Sequence, residues 1–145
     1  MTEHLATLWL GETHAVACAF NKTTEGQYVM SMAMAAGARS EAARAVREAL
    51  ASAQTGVEPV TSEELKAANQ ALLVAAKVKT RKALQKSFKH VLLSLKSDAL
   101  SVVPTRLGTS GDDRGYHELT PIVLAWPSDT DALTDALDEA AQRCC

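Results

Sequence analysis

The first forty residues alternate between apolar and polar positions with the period of β-strands. Leu5 to Leu10 and Thr13 to Phe20 are predicted as two strands, and Gly11-Glu12 between them has the Gly-X form of a two-residue type II′ hairpin turn. Tyr28 to Met34 alternates in the same way after a polar turn over residues 21–26. The pattern therefore predicts a three-stranded antiparallel meander at the start of the chain.

One face of the second predicted strand consists of alanine, at Ala15, Ala17 and Ala19. Because a methyl group leaves room above a strand, we expect a helix to pack closely on this face. Alanine contributes little burial energy, and the chain has 26 alanines but only 4% aromatic residues. Trp9 and Trp126 are therefore predicted to lie in the core.

Helices are predicted from capping residues and from apolar positions at helical spacing. Ser40 is suited to cap a helix over residues 41–53. Thr61-Ser62-Glu63-Glu64 matches a capping box and predicts the start of a second helix. Ser128 or Asp129 is predicted to cap a last helix that ends at Gln142. Its predicted inner face comprises Leu133, Ala136, Leu137 and Ala140.

The segment 62–97 is predicted as one kinked helix or as two successive helices. Its apolar stripe changes direction between Lys77 and Arg81, which favours two helices. The first part of the stripe is formed by Leu65, Leu72, Leu73 and Ala76, and the second by Leu84, Phe88, Val91, Leu92 and Leu95.

After Asp98 the pattern returns to short extended segments. Ala99 to Val103 is predicted as a strand, Leu107 to Gly115 as a glycine-rich loop, and Glu118 to Trp126 as a further strand. The order of elements predicts a single α+β domain over residues 1–145. We expect an antiparallel sheet of four to five strands with the helices packed on one face.

Positive charge is concentrated in the middle of the chain. The net charge is only −2, yet Leu65 to Ser97 contains eight Lys or Arg and no acidic residue. Lys79, Lys82, Lys86 and Lys89 would lie on one side of a basic amphipathic helix over 77–96. This face is either a solvated surface or a binding site for nucleic acid, an anionic membrane or an acidic protein. Nucleic acid is disfavoured because no aromatic residue is interleaved with the lysines.

Negative charge is concentrated in the last predicted helix. The acidic residues after its first position are Asp131, Asp135, Asp138 and Glu139. Three of them lie beyond the first turn, where the helix dipole does not favour acids. They are expected to face either the lysines of the same chain or a basic partner.

No catalytic, metal-binding or cofactor motif is recognisable. His14 and Cys18 share a strand face but stand about 13 Å apart, and Tyr116-His117-Glu118 would point alternately to opposite faces. Cys18 is predicted to be a core residue, and the adjacent Cys144 and Cys145 are predicted to be solvated thiols rather than metal ligands. We therefore expect a protein that is not an enzyme and carries no cofactor or metal.

The sequence also predicts where the chain acts. Its first residues lack the positive charge of a signal peptide, and no window approaches the ~20 apolar residues of a membrane-spanning helix. The odd number of cysteines argues against a secreted disulfide framework. These features predict a cytoplasmic protein without a membrane partner.

In size, α/β style and lack of a catalytic constellation, the whole chain resembles the small bacterial immunity proteins of contact-dependent inhibition and polymorphic-toxin systems. The resemblance rests on no motif, so it assigns no binding residue. It implies a protein that neutralises a cognate toxin domain, often a nuclease, by occluding it through charge and shape complementarity. On this hypothesis the acidic residues Asp131, Asp135, Asp138 and Glu139 contact the toxin. The alternatives are a secretion or effector chaperone and a nucleic-acid-binding module that uses Lys79, Lys82, Lys86 and Lys89.

Overall fold

A computed structural model describes residues 3–108 and 115–144. The strands are β1 (Glu3–Leu10), β2 (His14–Thr23), β3 (Tyr28–Ala38), β4 (Thr55–Val57), β5 (Lys89–Lys96), β6 (Ala99–Gly108), β7 (Gly115–Glu118) and β8 (Ile122–Ala125). The helices are α1 (Ala42–Ser52), α2 (Ser62–Ala76), α3 (Arg81–Ser87) and α4 (Thr130–Arg143), and a short 3₁₀ turn, Arg39–Glu41, precedes α1.

The strands form one sheet in the order β3-β2-β1-β5-β6-β7. The short strand β8 pairs with the first residues of β6, whereas β7 pairs with its last residues. Strand β4 runs parallel to the end of β2. Every other pairing between described strands is antiparallel. The α+β class and the N-terminal meander are thus confirmed, whereas the sheet has eight strands instead of the four to five expected.

The first hairpin turn is displaced by one residue from its predicted position. The Gly11 N–H donates to the His14 carbonyl at 2.8 Å, so Glu12 and Thr13 are the central residues of the turn. A Cβ atom at position 11 would lie 2.9 Å from Cε1 of Phe88. Glycine is required here by the close approach of the Phe88 ring, and the same contact fixes that ring at the end of β1.

The alanine face of β2 packs against helices, as predicted. Ala15 and Ala17 are fully buried in the first core, which also contains alternate residues of β1, β5 and β6 and the inner faces of α1 and α4. Arg47 of α1 donates to Oγ1 of Thr130 at 2.7 Å and to the Ser128 carbonyl at 2.6 Å. These hydrogen bonds join α1 to the start of α4, so the two helices cover this face as one layer.

Helices also cover the opposite face of the sheet, so the expectation of helices on one face was wrong. Residues of the second core are Trp9, Val16, Leu72, Ala76 and Leu84, contributed by β1, β2, α2 and α3. The central strands are buried on both sides, because Trp9 enters the second core while its neighbours Leu8 and Leu10 enter the first. Trp9 is therefore a core residue, as predicted, and Trp126 is half-buried against the first core.

The predicted break between Lys77 and Arg81 is confirmed. Helix α2 starts at the capping box of Thr61 and Glu64 and ends at Lys77, which adopts a left-handed conformation with φ of 61°. Oγ1 of Thr80 then accepts from the Ala83 N–H at 3.1 Å and caps α3. The first stripe ends where Lys77 ends α2, and of the second stripe only Leu84 lies in α3, because its other apolar residues follow that helix.

The predicted basic helix over 77–96 is wrong, because α3 ends at Ser87 and residues 89–96 form β5. Strand β5 lies between β1 and β6, and its apolar run is buried from both sides of the sheet. A run of this kind has no clear period, and its tertiary neighbours decide between strand and helix.

Smaller departures concern caps and strand ends. Ser40 lies in the 3₁₀ turn and does not cap α1, whereas Asp129 caps α4 by accepting from the Ala132 N–H at 2.7 Å. Strand β6 does not stop at Pro104 but continues to Gly108. The predicted loop over 107–115 is strand at both ends, and its remaining residues lie outside the described ranges.

Candidate functional site

The four acidic residues of α4 form one surface, here termed the acidic surface: Asp131, Asp135, Asp138 and Glu139. At 100° per residue they fall within an arc of about 100°, opposite the buried positions of the helix. Asp138 pairs with Arg39 at 3.5 Å, and Glu139 pairs with Arg143 at 3.3 Å. Asp131 and Asp135 are exposed and have no ion pair with a described residue. Within the described ranges, none of these four acids forms an ion pair with the lysines of 79–89.

The four lysines singled out from the sequence, Lys79, Lys82, Lys86 and Lys89, form what we term the basic surface. They do not share one helix face. Lys79 precedes α3, Lys82 and Lys86 lie on α3, and Lys89 is the first residue of β5. All four are exposed, and within the described ranges none forms an ion pair.

A cavity of about 340 Å³ lies where β1 ends and β5 begins, and we term it the end cavity. Its charged lining residues are Glu12, Arg39, Lys86 and Lys89. Apolar and aromatic walls come from Leu10, Phe88, Leu107 and Tyr116, and His90, Thr105 and Cys144 complete it. Two of the predicted basic residues therefore lie at this cavity.

Three rings and a guanidinium pack together behind the wall of the end cavity. The His90 ring lies between Trp9 and Tyr116, with centroid distances of 4.5 and 4.2 Å. The Arg81 guanidinium covers the Trp9 ring at 5.1 Å from its centroid, a cation–π contact. The hydroxyl oxygen of Tyr116 is buried and has no hydrogen-bond partner within the described part of the chain.

His90 is held as a neutral imidazole. The Thr105 hydroxyl donates to the His90 carbonyl at 2.6 Å, and its oxygen lies 3.2 Å from Nδ1 of the same residue. Because that hydroxyl has only one proton, Nδ1 must carry the ring proton to bond it. Burial and, secondly, the charge of Arg81 lower the pKa of His90 to about 4. The ring is therefore a weak base, far from the pKa that suits a general base at neutral pH.

The prediction for Cys18 is confirmed, and the prediction for Cys144 is wrong. Cys18 is fully buried, as predicted, and burial raises the pKa of its thiol to about 12. Cys144 was predicted to be a solvated thiol, but it is buried, and its Sγ lies 3.5 Å from the His90 carbonyl oxygen, to which it donates. The reason is that α4 ends on the sheet beside β5, which carries Cys144 into the first core. Cys145 lies outside the described residues.

The residues considered for acid–base chemistry are separated. Tyr116 lines the end cavity, while Glu118 lines a different cavity of about 420 Å³, together with Glu3 and Ser94. His117 lines neither. Strand alternation places His117 on the face opposite to Tyr116 and Glu118, and these two residues line separate cavities. Among the described residues, no three His, Cys, Asp or Glu side chains are placed to hold a metal ion.

The end cavity was not predicted as a site. Its lining is drawn from β1, the 3₁₀ turn, α3, β5, β6, β7 and the end of α4, which are far apart in the sequence. Gly11 gave no local signal, because the predicted type II′ turn already accounted for a glycine there, and only the structure shows its contact with Phe88. No described helix is both long and apolar enough to cross a membrane.

The sequence matches no protein-family model and no curated protein. Two solved structures are similar along almost the whole chain. One is a protein of unknown function from Neisseria meningitidis, with a TM-score of 0.75 and 17% identity over 99% of this chain and 96% of that chain. The other belongs to the CdiA-CT/CdiI toxin and immunity complex from Yersinia pseudotuberculosis, with a TM-score of 0.75 and 14% identity over 100% of this chain and 99% of that chain. These likenesses establish the fold. They confirm, at that level, the resemblance expected from the sequence.

Proposed function

We propose that this protein is an immunity protein that acts in the cytoplasm by binding and occluding a cognate toxin domain. The observation that carries the proposal is the likeness of the fold, over its full length, to a chain of a toxin and immunity complex. The arrangement of polar side chains supports the same conclusion. Charged residues form exposed surfaces, and the buried His90 and Cys18 have pKa values that leave them neutral.

The acidic surface is the proposed contact with the toxin, and a nuclease is the proposed toxin. A nuclease needs positive charge to hold the phosphate backbone, so a surface of opposite sign competes with the nucleic acid and steers association. Asp131 and Asp135 contribute most to this field, because Asp138 and Glu139 are partly neutralised by Arg39 and Arg143.

Co-expression tests the proposal. The probe is the C-terminal domain of the protein encoded directly upstream of this gene, produced with and without this chain in the same cells. We expect that domain to arrest growth alone and the wild-type chain to restore growth and to form a complex with it. A chain that arrests growth when expressed alone, or that neither protects nor binds, would overturn the proposal.

Charge reversal tests the contact surface. Asp131→Lys with Asp135→Lys is expected to raise the Kd for the toxin domain by about tenfold or more. The matched control is Glu25→Lys with Glu58→Lys, which changes net charge equally at two exposed loop positions. The control should change the Kd less than about threefold, because it tests only the long-range field. Equal effects of the two double variants would refute the acidic surface as the contact.

A further inference from the structure

We infer that the end cavity receives a carboxylate side chain of the bound toxin. This inference rests on the proposed function and adds a second point of recognition to the acidic surface. It concerns a different set of residues, so each of the two contacts can fail without the other.

The charge of the cavity favours a negatively charged side chain of the toxin. Arg39, Lys86 and Lys89 line it against a single acid, Glu12. Arg39 is partly engaged, since it donates to the Gly11 carbonyl at 2.7 Å and pairs with Asp138. Lys86 and Lys89 have no ion pair within the described ranges. The cations in the lining outnumber the acid, and a concave surface with a net positive charge attracts a negative group.

The volume and the lining of the cavity leave room for an acidic side chain. A volume of about 340 Å³ is near the lower end for ligand pockets, roughly 300–1,000 Å³. Phe88, packed on Gly11, gives an apolar wall for the methylene stem of an Asp or Glu.

The cavity and the acidic surface are adjacent. Arg39 lines the cavity and pairs with Asp138 of the acidic surface, and Cys144 at the end of α4 also lines the cavity. A partner that lies along α4 therefore reaches the cavity without a second docking event. The toxin expected from this geometry has a basic surface with an Asp or Glu beside it.

The experiment measures the Kd of the same toxin domain for three single variants. Lys86→Glu and Lys89→Glu place a negative charge at the cavity, and each is expected to raise the Kd at least tenfold. Lys66→Glu is the matched control, because Lys66 is exposed on α2, is not a cavity residue, and gives the same change in net charge. The control should stay within about threefold of the wild type. Thermal unfolding of each variant verifies that the fold is retained.

A charge-swap series on the toxin identifies its carboxylate. Each Asp or Glu on the toxin surface is changed to Lys and tested against Lys86→Glu. One such change is expected to restore the affinity to within about threefold of the wild-type pair. If both cavity variants bind with wild-type affinity while the acidic-surface variant loses binding, the inference about the cavity is wrong and the proposed function still stands. Failure of every toxin variant to restore binding would also overturn the inference about the cavity, and failure of the wild-type chain to bind the toxin would overturn both proposals.

Discussion

The two faces of the sheet are packed in different ways. On the first face α1 and α4 lie on a layer of alanine, valine and leucine, and the buried cluster there is large and apolar. On the second face α2 and α3 cover a small cluster around Trp9, and this cluster merges with His90, Tyr116 and Thr105. Small aliphatic side chains allow close approach and bring no polar atoms, whereas the rings of Trp9, His90 and Tyr116 bring polar atoms into the second cluster.

The two faces are therefore expected to contribute unequally to stability. The first face provides most of the apolar burial, so it should determine most of the free energy of unfolding. The end cavity opens beside the ring cluster of the second face, where the packing includes polar groups. The cavity that we propose for recognition therefore lies beside polar groups of the second core.

The largest difference in stability between the two cores is expected from replacing one buried leucine in each of them with alanine. Leu137→Ala in the first core should lower the free energy of unfolding by roughly 4 kcal/mol, and Leu84→Ala in the second core by roughly 2 kcal/mol. Both side chains are almost fully buried, but the smaller second cluster can collapse more completely around the lost atoms. Urea denaturation of both variants measures the two values. A Leu84→Ala cost equal to that of Leu137→Ala would contradict the proposed division.

Low pH is expected to lower the stability of the second face, because the buried His90 lies there. Its folded pKa of about 4 lies below the unfolded value of 6.5. Above pH 6.5 both states are neutral, and as the pH falls from 6.5 to 4 the unfolded state gains a proton that the folded state does not. Stability should therefore decline by about 1.4 kcal/mol per pH unit, to a loss of roughly 3 kcal/mol near pH 4.

Denaturation of the wild type and of His90→Gln across this pH range isolates the effect from the carboxylates, which titrate in both proteins. The variant has no proton to gain at position 90, so its decline should be shallower. Parallel curves for the two proteins would show that His90 does not contribute.

The smallest of the three effects is expected from enlarging an alanine in each layer. Ala45→Leu on α1 should destabilise the protein by about 2 kcal/mol, because this fully buried position has no room for three more carbons. Ala67→Leu on α2 should cost less than about 1 kcal/mol, since that position is half-exposed. Melting temperatures compare the two variants directly, and a larger cost at Ala67 would mean that the second layer is the tighter one.

Features that depend on interactions within a few residues could be predicted from the sequence. The capping box at Thr61, the inner face of α4 and the alanine face of β2 were predicted correctly, and Asp129 was one of two predicted caps of α4. Each depends on hydrogen bonds or periodicity inside one element, so tertiary neighbours do not change the outcome. The acidic surface was predictable for the same reason, since helical spacing alone places its residues on one face.

Tertiary structure decided what depends on neighbours distant in the sequence. Residues 89–96 became a strand because β1 and β6 bond to both sides of them, and Cys144 was buried because α4 ends beside β5. The end cavity exists only where seven separate elements meet. The α+β class, the capping box of α2 and the segregation of charge followed from the sequence alone, because these depend on local bonding and periodicity. Which charges stay unpaired around a cavity was decided by the fold alone, because pairing depends on distances through space.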